Sequence, residues 1–200
     1  MATRHHTDSE RRRMFEEAAI RVIARNGLAG ATTRAIGEEA GLNAAMIAYT
    51  FGGKEGLLRG LLERVLASVA TQLASTSHPH DNLGDAVEAL TWSYWALVLE
   101  TPALQKAQYE LTLHFLRTPD NAPIAQAQYD GYVSIVRDQL SLSTSHAPEQ
   151  LDALAGVCVA LMDGVILQYL ATADARRCET RLRLGLEALI HTAQHMEFAP

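Results

Sequence analysis

The sequence predicts an all-α protein, and three observations support that fold class. Apolar residues recur every three to four positions through most of the chain, as they do on one face of an amphipathic helix. No segment alternates apolar and polar residues for long enough to form a half-buried strand. Glycines, prolines and helix-capping residues separate the periodic segments. We therefore expect about nine helices joined by short loops.

Residues 8–26 form the first predicted helix. Thr7 and Glu10 have the Thr-x-x-Glu spacing of a capping box, in which each residue satisfies a backbone N–H group of the other. The apolar period that follows ends at Gly27, which readily adopts the left-handed conformation that stops a helix.

Two short helices are predicted next, over residues 33–40 and 44–50. Either Thr32 or Thr33 can cap the first helix and Asn43 can cap the second, because both residue types are good N-caps. Gly41 lies between the helices and permits a sharp turn. Two helices joined by a tight glycine turn have the outline of a helix-turn-helix, whose second helix enters the major groove of DNA.

The rest of the chain predicts one long helix and five further ones. An apolar stripe from Leu57 to Leu73 lasts about five turns, so we expect a long helix that begins at Lys54. The proline-containing stretch 75–82 is the clearest loop. The remaining helices are predicted at about 82–100, 102–117, 121–142, 148–173 and 175–197. The expected domains are residues 1–53 and 54–200.

The formal net charge of −6 is unevenly distributed along the chain. Residues 1–60 hold nine Lys and Arg against seven Asp and Glu, whereas the remainder holds eight against sixteen. This division predicts that only the N-terminal part contacts a polyanion. Two cysteines exclude a disulfide framework, and the longest apolar runs, of about six residues, are far shorter than the roughly 20 that span a bilayer. We expect a cytoplasmic protein with no membrane partner.

Two stretches of the N-terminal segment carry a family signature. Residues 32–43 read TTRAIGEEAGLN, and residues 49–58 read YTFGGKEGLL. They resemble the DNA-binding domain of the TetR family of transcriptional regulators, in which Thr-x-Arg-x-Ile, Ala-Gly-[Val/Leu]-[Ser/Asn] and Tyr-x-Phe-x-x-Lys-Glu-x-Leu-Leu recur. The resemblance covers about residues 10–60, and the remainder resembles the family in length and helix count.

The resemblance implies a set of DNA contacts. Phosphate contacts are expected from Thr33, Tyr49 and Lys54, and groove contacts from Arg34, Asn43, Ala44, Ala45 and Met46. Alanine contacts thymine methyl groups but cannot form bidentate hydrogen bonds, so base readout would depend on Arg34 and Asn43. Two alternatives stay open, namely that Tyr49 packs the domain together with Phe51 and that Arg34 is a solvated surface charge.

Aromatic and polar side chains gather in the middle of the chain. An apolar cavity with a few hydrogen-bonding groups is what a small-molecule site needs. The alternative is that these side chains fill an ordinary core. The candidate effector-binding residues are Trp92, Trp95, Tyr109, His114, Phe115, Tyr132, Met162 and Gln168.

The helix over 148–173 has apolar residues on two faces, so we expect it to be buried on two sides. With the final helix it is expected to pair with a second copy of the chain as a four-helix interface, as the family does. Two ordinary core helices of a monomer are the alternative. The candidate interface residues are Leu151, Leu154, Cys158, Ile166, Leu182, Leu186, Leu189 and Ala193.

The expected function is that of a ligand-responsive, DNA-binding transcriptional regulator. We expect a homodimeric repressor that is released from a pseudo-palindromic double-stranded DNA operator by a small, largely apolar or aromatic effector. A second hypothesis is a helical enzyme or metal protein that uses His114, His191 or His195 with nearby carboxylates. A third is a helical interaction module without a DNA role. Phosphate-loop, dinucleotide-binding and nucleophile-elbow motifs are missing, so we expect no catalytic residue, metal site or cofactor.

Overall fold

Nine α-helices account for nearly all secondary structure in the computed structural model, which describes residues 7–76, 78–117, 119–144 and 146–194, the last three (192–194) by their backbone alone. No strand lies in these residues, and the all-α class is confirmed. The helices are α1 (Asp8–Gly30), α2 (Thr33–Ala40), α3 (Ala45–Phe51), α4 (Lys54–Thr76), α5 (Leu83–Glu100), α6 (Pro102–Phe115), α7 (Ala122–Leu140), α8 (Pro148–Thr172) and α9 (Ala175–Gln194). A 3₁₀ turn at Ser141–Ser143, which the sequence did not predict, follows α7.

The helices form two compact units. The first contains the residues up to Val65 together with Ala103–Gln126, and the second contains Leu66–Pro102 and the residues from Ala127 onward. Helix α4 therefore contributes its first half to one unit and its second half to the other, whereas nearly all of α6 belongs to the first.

Helix α1 begins where the sequence predicts and continues beyond the predicted end. The Thr7 hydroxyl accepts a hydrogen bond from the Glu10 backbone N–H at 3.2 Å, and the Glu10 carboxylate accepts one from the Thr7 N–H at 2.7 Å, which confirms the capping box. Gly27 interrupts the helical backbone with φ +70°, but one more turn follows it. The Glu110 carboxylate of α6 accepts a hydrogen bond from the Leu28 N–H just after the interruption, at 2.6 Å, and so stabilises this extra turn.

The first unit has one apolar core, shared by α1 to α4 and by α6. Its fully buried large side chains come from every one of these helices: Phe15, Ile23, Ile36, Ile47, Leu57, Leu58, Leu61, Leu111 and Phe115. Because α2 and α3 are only two turns long, they depend on this packing for their stability.

The second unit is built around α5, α8 and α9. Trp95 of α5 is buried, its indole N–H donates to Glu179 of α9 at 3.1 Å, and its ring meets Tyr169 of α8 edge to face at 5.5 Å. One side chain thus joins three helices. Leu154 and Ile166 of α8 and Leu182 of α9 are also buried.

Candidate functional site: a helix-turn-helix and a ligand cavity

Helices α2 and α3 and the turn between them form the helix-turn-helix that the sequence predicts. The Thr32 hydroxyl accepts a hydrogen bond from the Ala35 N–H at 3.1 Å, and the Asn43 carbonyl oxygen accepts one from the Ala45 N–H at 2.9 Å. Gly41 ends α2 in the left-handed conformation, with φ +66°, and its N–H donates to the last carbonyl groups of that helix. Helix α3 begins at Ala45, one residue later than predicted, because Ala44 occupies the N-cap position.

A close approach between α2 and α3 fixes the angle of the motif. A Cβ atom on Gly37 would lie 3.0 Å from the backbone N and Cα of Ala44. Few real Cβ contacts are so short, so only glycine at this position lets the start of α3 come so near to α2.

The predicted DNA contacts divide into an exposed set and a half-buried set. Arg34, Asn43, Ala45 and Tyr49 are exposed, and the Tyr49 side chain is 75% exposed. Phe51 instead performs the packing role considered for Tyr49, because its ring meets Phe15 edge to face at 6.3 Å. The half-buried set is Thr33, Ala44, Met46 and Lys54.

Two of the half-buried residues have contacts within the domain. Met46 packs against the core of the first unit, and Ala44 lies against Gly37. The exposed surface of α3 in this region therefore consists of Ala45, Ala48 and Tyr49.

Arg34 forms a surface ion pair with Glu38, one turn later on α2. The guanidinium and the carboxylate are 2.9 Å apart, and both side chains are exposed. Such pairs contribute little to stability in water. Arg34 is thus a surface charge that must exchange Glu38 for a base or a phosphate if it contacts DNA.

Several arginines of α1 have structural partners instead. The Arg12 guanidinium lies 4.5 Å from the centre of the Phe51 ring and donates to the Thr50 carbonyl at 3.2 Å, which fastens α1 to the end of α3. Arg21 and Arg25 both bond to Glu39 of α2, and these hydrogen bonds lower the pKa of that carboxyl group. Much of the positive charge in this segment therefore holds the domain together.

Glu16 connects α1 to α4 in a different environment. Its carboxylate is nearly buried and lies 3.3 Å from the guanidinium of Arg64. Burial raises the pKa of Glu16, against the opposing effect of Arg64. The ion pair is therefore partly desolvated, unlike that of Arg34.

A mostly apolar cavity lies within the second unit, between α4, α5, α7 and α8. The enclosed volume is small, about 40 Å³, so a ligand larger than a few atoms must move the wall side chains. A small-molecule site needs a few polar groups among apolar ones, and this wall has both. Its lining residues are Val69, Leu73, Val87, Leu90, Thr91, Tyr94, Tyr132, Val136, Leu140, Cys158, Val159, Met162 and Asp163.

The polar groups of the cavity are few and specific. Tyr132 accepts a hydrogen bond from the Gln128 amide at 3.2 Å, and the neighbouring Tyr129 donates its hydroxyl to Asp163. Burial raises the pKa of Tyr94 and of Tyr132, and it raises the pKa of the Cys158 thiol to about 12. These three groups are therefore neutral at physiological pH, and Asp163 is the carboxylate of the wall.

The structure brings two of the eight candidate effector residues, Tyr132 and Met162, into the cavity wall. Trp95 is a buried packing residue, and the ring of Trp92 lies 5.2 Å below the guanidinium of Arg183. Gln168 is exposed and bonds to the Gly164 carbonyl and to Arg181.

The other three candidates, Tyr109, His114 and Phe115, lie on α6 in the first unit. Phe115 is in the core of that unit, and His114 lies 3.3 Å from Glu55.

The cavity wall also holds residues that are not among those eight candidates. Tyr94 and Asp163 line it, as do Val69 and Leu73 of α4. Cys158, expected at a subunit interface, is also a cavity residue.

The candidate interface residues are buried within the single chain, so they do not present a surface to a partner. This holds for Leu151, Leu154, Cys158, Ile166, Leu182, Leu186 and Leu189, whereas the side chain of Ala193 lies outside the described residues. The exposed apolar side chains of the same helices are different ones. Val157 and Leu167 of α8 are 53% and 50% exposed, and Leu184 of α9 is 63% exposed.

Helix α8 is long and apolar enough to cross a membrane by length and composition, a test that core helices of soluble proteins also pass. Only a third of its most apolar window is buried within the chain. Its outer face is therefore an apolar surface that the single chain does not cover.

The histidines considered for metal binding lie apart from one another. His114 is on α6 and His191 is on α9, and His195 lies outside the described residues. Across the described ranges no group of three or more His, Cys, Asp or Glu side chains is placed to hold a metal ion.

Comparison with known proteins agrees with this arrangement. Residues 17–61 match the family model of "bacterial regulatory proteins, tetR family", and residues 78–192 match that of the "tetracyclin repressor-like, C-terminal domain". The chain is 29% identical to the transcriptional regulator BetI 2 of Chromohalobacter salexigens, covering 82% of this chain and 93% of that one. It is 24% identical to the nicotine-responsive repressor HdnoR of Paenarthrobacter nicotinovorans, covering 81% and 84%.

Solved structures show the same fold. The multidrug binding protein EbrR, in complex with ethidium, is 28% identical with a TM-score of 0.62, over 92% of this chain and 99% of that one. A transcriptional regulator from Rhodococcus has a TM-score of 0.75 at 18% identity, over 94% and 99%. The chain belongs to the TetR family of transcriptional regulators, which bind DNA and small-molecule effectors and are not enzymes.

Proposed function

We propose that this protein is a cytoplasmic, homodimeric repressor that leaves its DNA operator when a small, largely apolar or aromatic effector enters the cavity of the second unit. The cavity is the observation that carries this proposal. Ten of its thirteen wall residues are apolar or aromatic without a charge, so it fits a molecule of that character. Residues 1–53 read DNA in this proposal, and residues 54–200 bind the effector and the second subunit.

Helix α4 supplies a route from effector to DNA. Its first half gives Leu57, Leu58 and Leu61 to the core of the first unit, and its second half gives Val69 and Leu73 to the cavity wall. An effector that displaces the wall therefore displaces a helix that begins at Lys54. A full switch requires the effector to prefer the released state by about 5.5 kcal/mol.

The named ligands of two similar proteins support the effector class. HdnoR is described as nicotine-responsive, and EbrR has been crystallised with ethidium and with malachite green. All three ligands have aromatic rings.

The exposed apolar face of α8 and α9 is the surface that we assign to the second subunit. It centres on Val157, Leu167 and Leu184, and it replaces the buried residues that the sequence suggested. Gly164 lies on this exposed side of α8, and a Cβ atom there would meet no atom of the chain within 4 Å. A close helix crossing in the dimer explains glycine at a helical position where it costs about 1 kcal/mol relative to alanine.

DNA titration at several salt concentrations tests the proposed DNA contacts of residues 1–53. With DNA from upstream of the protein's own coding sequence, we expect tight binding and a footprint of two half-sites about 34–36 Å apart. Lys54→Ala weakens binding to all sequences alike and reduces the salt slope by about one, and Tyr49→Phe weakens it without sequence preference. Asn43→Ala instead relaxes base discrimination by about 1–3 kcal/mol.

Arg176→Ala is the matched control, because it removes one exposed cation from the second unit. It leaves the affinity and the salt slope unchanged. A footprint of one half-site, or equal effects of Arg176→Ala and Lys54→Ala, would refute the proposed contacts.

Sedimentation tests the dimer. We expect the wild type to have twice the mass of the chain, and Gly164→Arg to have the mass of one chain because it places a charge in an apolar interface. Ala96→Arg, at an exposed position on α5, serves as the control and stays dimeric. A dimeric Gly164→Arg variant would place the interface elsewhere.

A further inference from the structure

We infer that the second unit binds a divalent transition-metal ion through the imidazoles of His78 and His80 and the side-chain oxygen of Gln139. The two histidines lie in the loop between α4 and α5, and Gln139 lies in the last turn of α7. The ions of this class are Ni²⁺, Cu²⁺ and Zn²⁺, for which imidazole nitrogen is a suitable ligand. The inference goes beyond the proposed function and does not depend on it.

The two histidine rings lie close together. Their centres are 4.2 Å apart, and their planes are tilted by 39°. A ring nitrogen that binds Zn²⁺ at about 2.0–2.1 Å puts the ring centre roughly 3 Å from the ion. Two rings with the observed separation can therefore share one ion.

A hydrogen bond to the backbone determines which nitrogen of His78 is available to an ion. The Nδ1 atom lies 3.1 Å from the carbonyl oxygen of Thr76. Because a carbonyl oxygen only accepts hydrogen bonds, Nδ1 carries the proton, and the lone pair of the neutral ring is then on Nε2. Histidines that bind metal ions commonly donate their other ring N–H to a carbonyl group in this way.

A small cavity connects the two histidines with Gln139. All three residues line it, and its volume is about 10 Å³, close to the space that one water molecule needs. The side-chain oxygen of Gln139 is buried and accepts no hydrogen bond from the described part of the chain. A buried acceptor without a donor is unfavourable, and a cation in the cavity would compensate it.

The loop with the histidines is held beside the end of α7. The His80 backbone N–H donates to the hydroxyl of Ser143, in the 3₁₀ turn that follows α7, at 2.8 Å. The His80 side chain is half-buried, whereas that of His78 is exposed. An ion can therefore enter from solvent on the side of His78 and meet a site whose other side is fixed.

The groups around this cavity favour a transition-metal ion over other ligands. An imidazole lone pair and an amide oxygen both repel an anion. Mg²⁺ and Ca²⁺ prefer carboxylate and other oxygen ligands, and none of the described lining residues is Asp or Glu. With two histidines, the site differs from the groups of three His, Cys, Asp or Glu that the described residues lack, so solvent must supply further ligands.

The site adjoins the larger apolar cavity of the second unit, because Leu90 of α5 lines both. An ion that binds the histidines and Gln139 connects the loop before α5 to α7. It binds the folded chain and so stabilises it by mass action. We therefore expect the ion to raise the Tm of the wild type and to have less effect on that of His80→Gln.

Equilibrium dialysis of the full-length protein against Ni²⁺, Cu²⁺ and Zn²⁺ tests the site, with Mg²⁺ as the control ion. We expect one transition-metal ion per chain at this site and no binding of Mg²⁺. His78→Gln and His80→Gln each remove one nitrogen ligand, so we expect each to weaken binding by about tenfold or more.

Gln139→Leu distinguishes a ligand from a packing residue. It nearly keeps the size of the side chain and removes the oxygen, so we expect weaker metal binding. The metal-free variant should be as stable as the wild type or more stable, because a buried acceptor without a donor is removed. Loss of stability with unchanged metal binding would overturn the assignment of Gln139.

Other histidines of the chain provide matched controls. His146→Gln removes a histidine from the loop before α8. A second variant, with His5→Gln and His6→Gln, removes an adjacent pair that lies outside the described residues. We expect both variants to bind the ion at this site with the affinity of the wild type.

Pulsed electron paramagnetic resonance of the Cu²⁺-loaded protein counts the bound imidazoles, so it tests the inference even if a variant folds poorly. We expect two in the wild type and one in His78→Gln or His80→Gln. Three results would overturn the inference: the wild type binds none of the three ions, a control variant abolishes binding, or the Cu²⁺ signal is the same without His78 and without His80.

Discussion

The two units of this protein use their polar and apolar residues in opposite ways. In the first, arginines of α1 bond to Glu39, to the Thr50 carbonyl and to the Phe51 ring, so charges fix short helices in place. In the second, an apolar cavity contains a carboxylate, and leucines and a valine of α8 and α9 are exposed. The first unit thus uses its charges for internal contacts, whereas the second contains a cavity and an exposed apolar surface.

This difference explains why the surface of the arginine-rich helix α1 is only mildly basic. Arg12, Arg21 and Arg25 are engaged within the domain, so the DNA contact that we propose depends on Tyr49, Lys54 and the start of α3. The acidic second unit repels DNA from its own surface, which favours binding through the first unit alone.

The largest effect that we expect is a loss of stability in the second unit, and it differs between the two tryptophans of α5. Trp95→Ala removes a buried ring that joins three helices, so we expect the free energy of unfolding to fall by about 3–5 kcal/mol. Trp92→Ala, three residues earlier, removes a half-exposed ring under Arg183 and costs about 1 kcal/mol or less. Urea denaturation measures both.

Binding of an aromatic effector candidate such as ethidium to the same two variants gives the complementary test. If Trp95→Ala kept full stability and lost ethidium binding, Trp95 would be an effector contact, as the sequence suggested, and the structural role would be wrong.

The next effect concerns Gly37 in the first unit. Gly37→Val places side-chain atoms against the backbone of Ala44, so we expect a loss of about 1–3 kcal/mol of stability together with loss of operator binding. Glu38→Val, at the neighbouring exposed position, controls for the low helix propensity of valine and changes stability by less than about 0.5 kcal/mol. Equal losses in the two variants would show that propensity, and not the close approach, decides the result.

The first unit was predictable because its signals are local. The capping box at Thr7, the cap at Thr32 and the turn at Gly41 each involve residues within four positions of one another. The structure has all three where the sequence placed them. The extra turn after Gly27 was missed because its partner, Glu110, is 82 residues away.

The sequence predicted where the helices of the second unit lie along the chain, but it did not predict which face of each helix is buried. On α8 both faces are apolar, so periodicity could not decide whether Leu154 or Val157 points inward, and the structure buries Leu154. Similarly, Trp92 and Trp95 lie three residues apart on α5 and differ in burial. Tyr109, His114 and Phe115 stand near other candidates in the sequence, yet α6 belongs to the first unit.

The last prediction concerns how the stability of each unit depends on pH, and its effect at neutral pH is the smallest. Hydrogen bonds from Arg21 and Arg25 lower the pKa of Glu39, so its contribution is complete above the usual carboxyl range and is lost as the pH falls through the lowered value. Burial raises the pKa of Tyr94 and Tyr132. Their contribution is complete below about 10, the unfolded pKa, and is lost as the pH rises toward the folded value.

We therefore expect protonation of Glu39 to weaken the first unit in acid, and deprotonation of Tyr94 and Tyr132 to weaken the second unit in alkali. Both tryptophans lie in the second unit, so their fluorescence reports its unfolding, and hydrogen exchange resolves the first. Glu39→Gln reduces the acid sensitivity of the first unit, and Tyr132→Phe reduces the alkaline sensitivity of the second. If each variant altered both units equally, the contrast between a charge-fixed unit and an apolar one would not govern their stability.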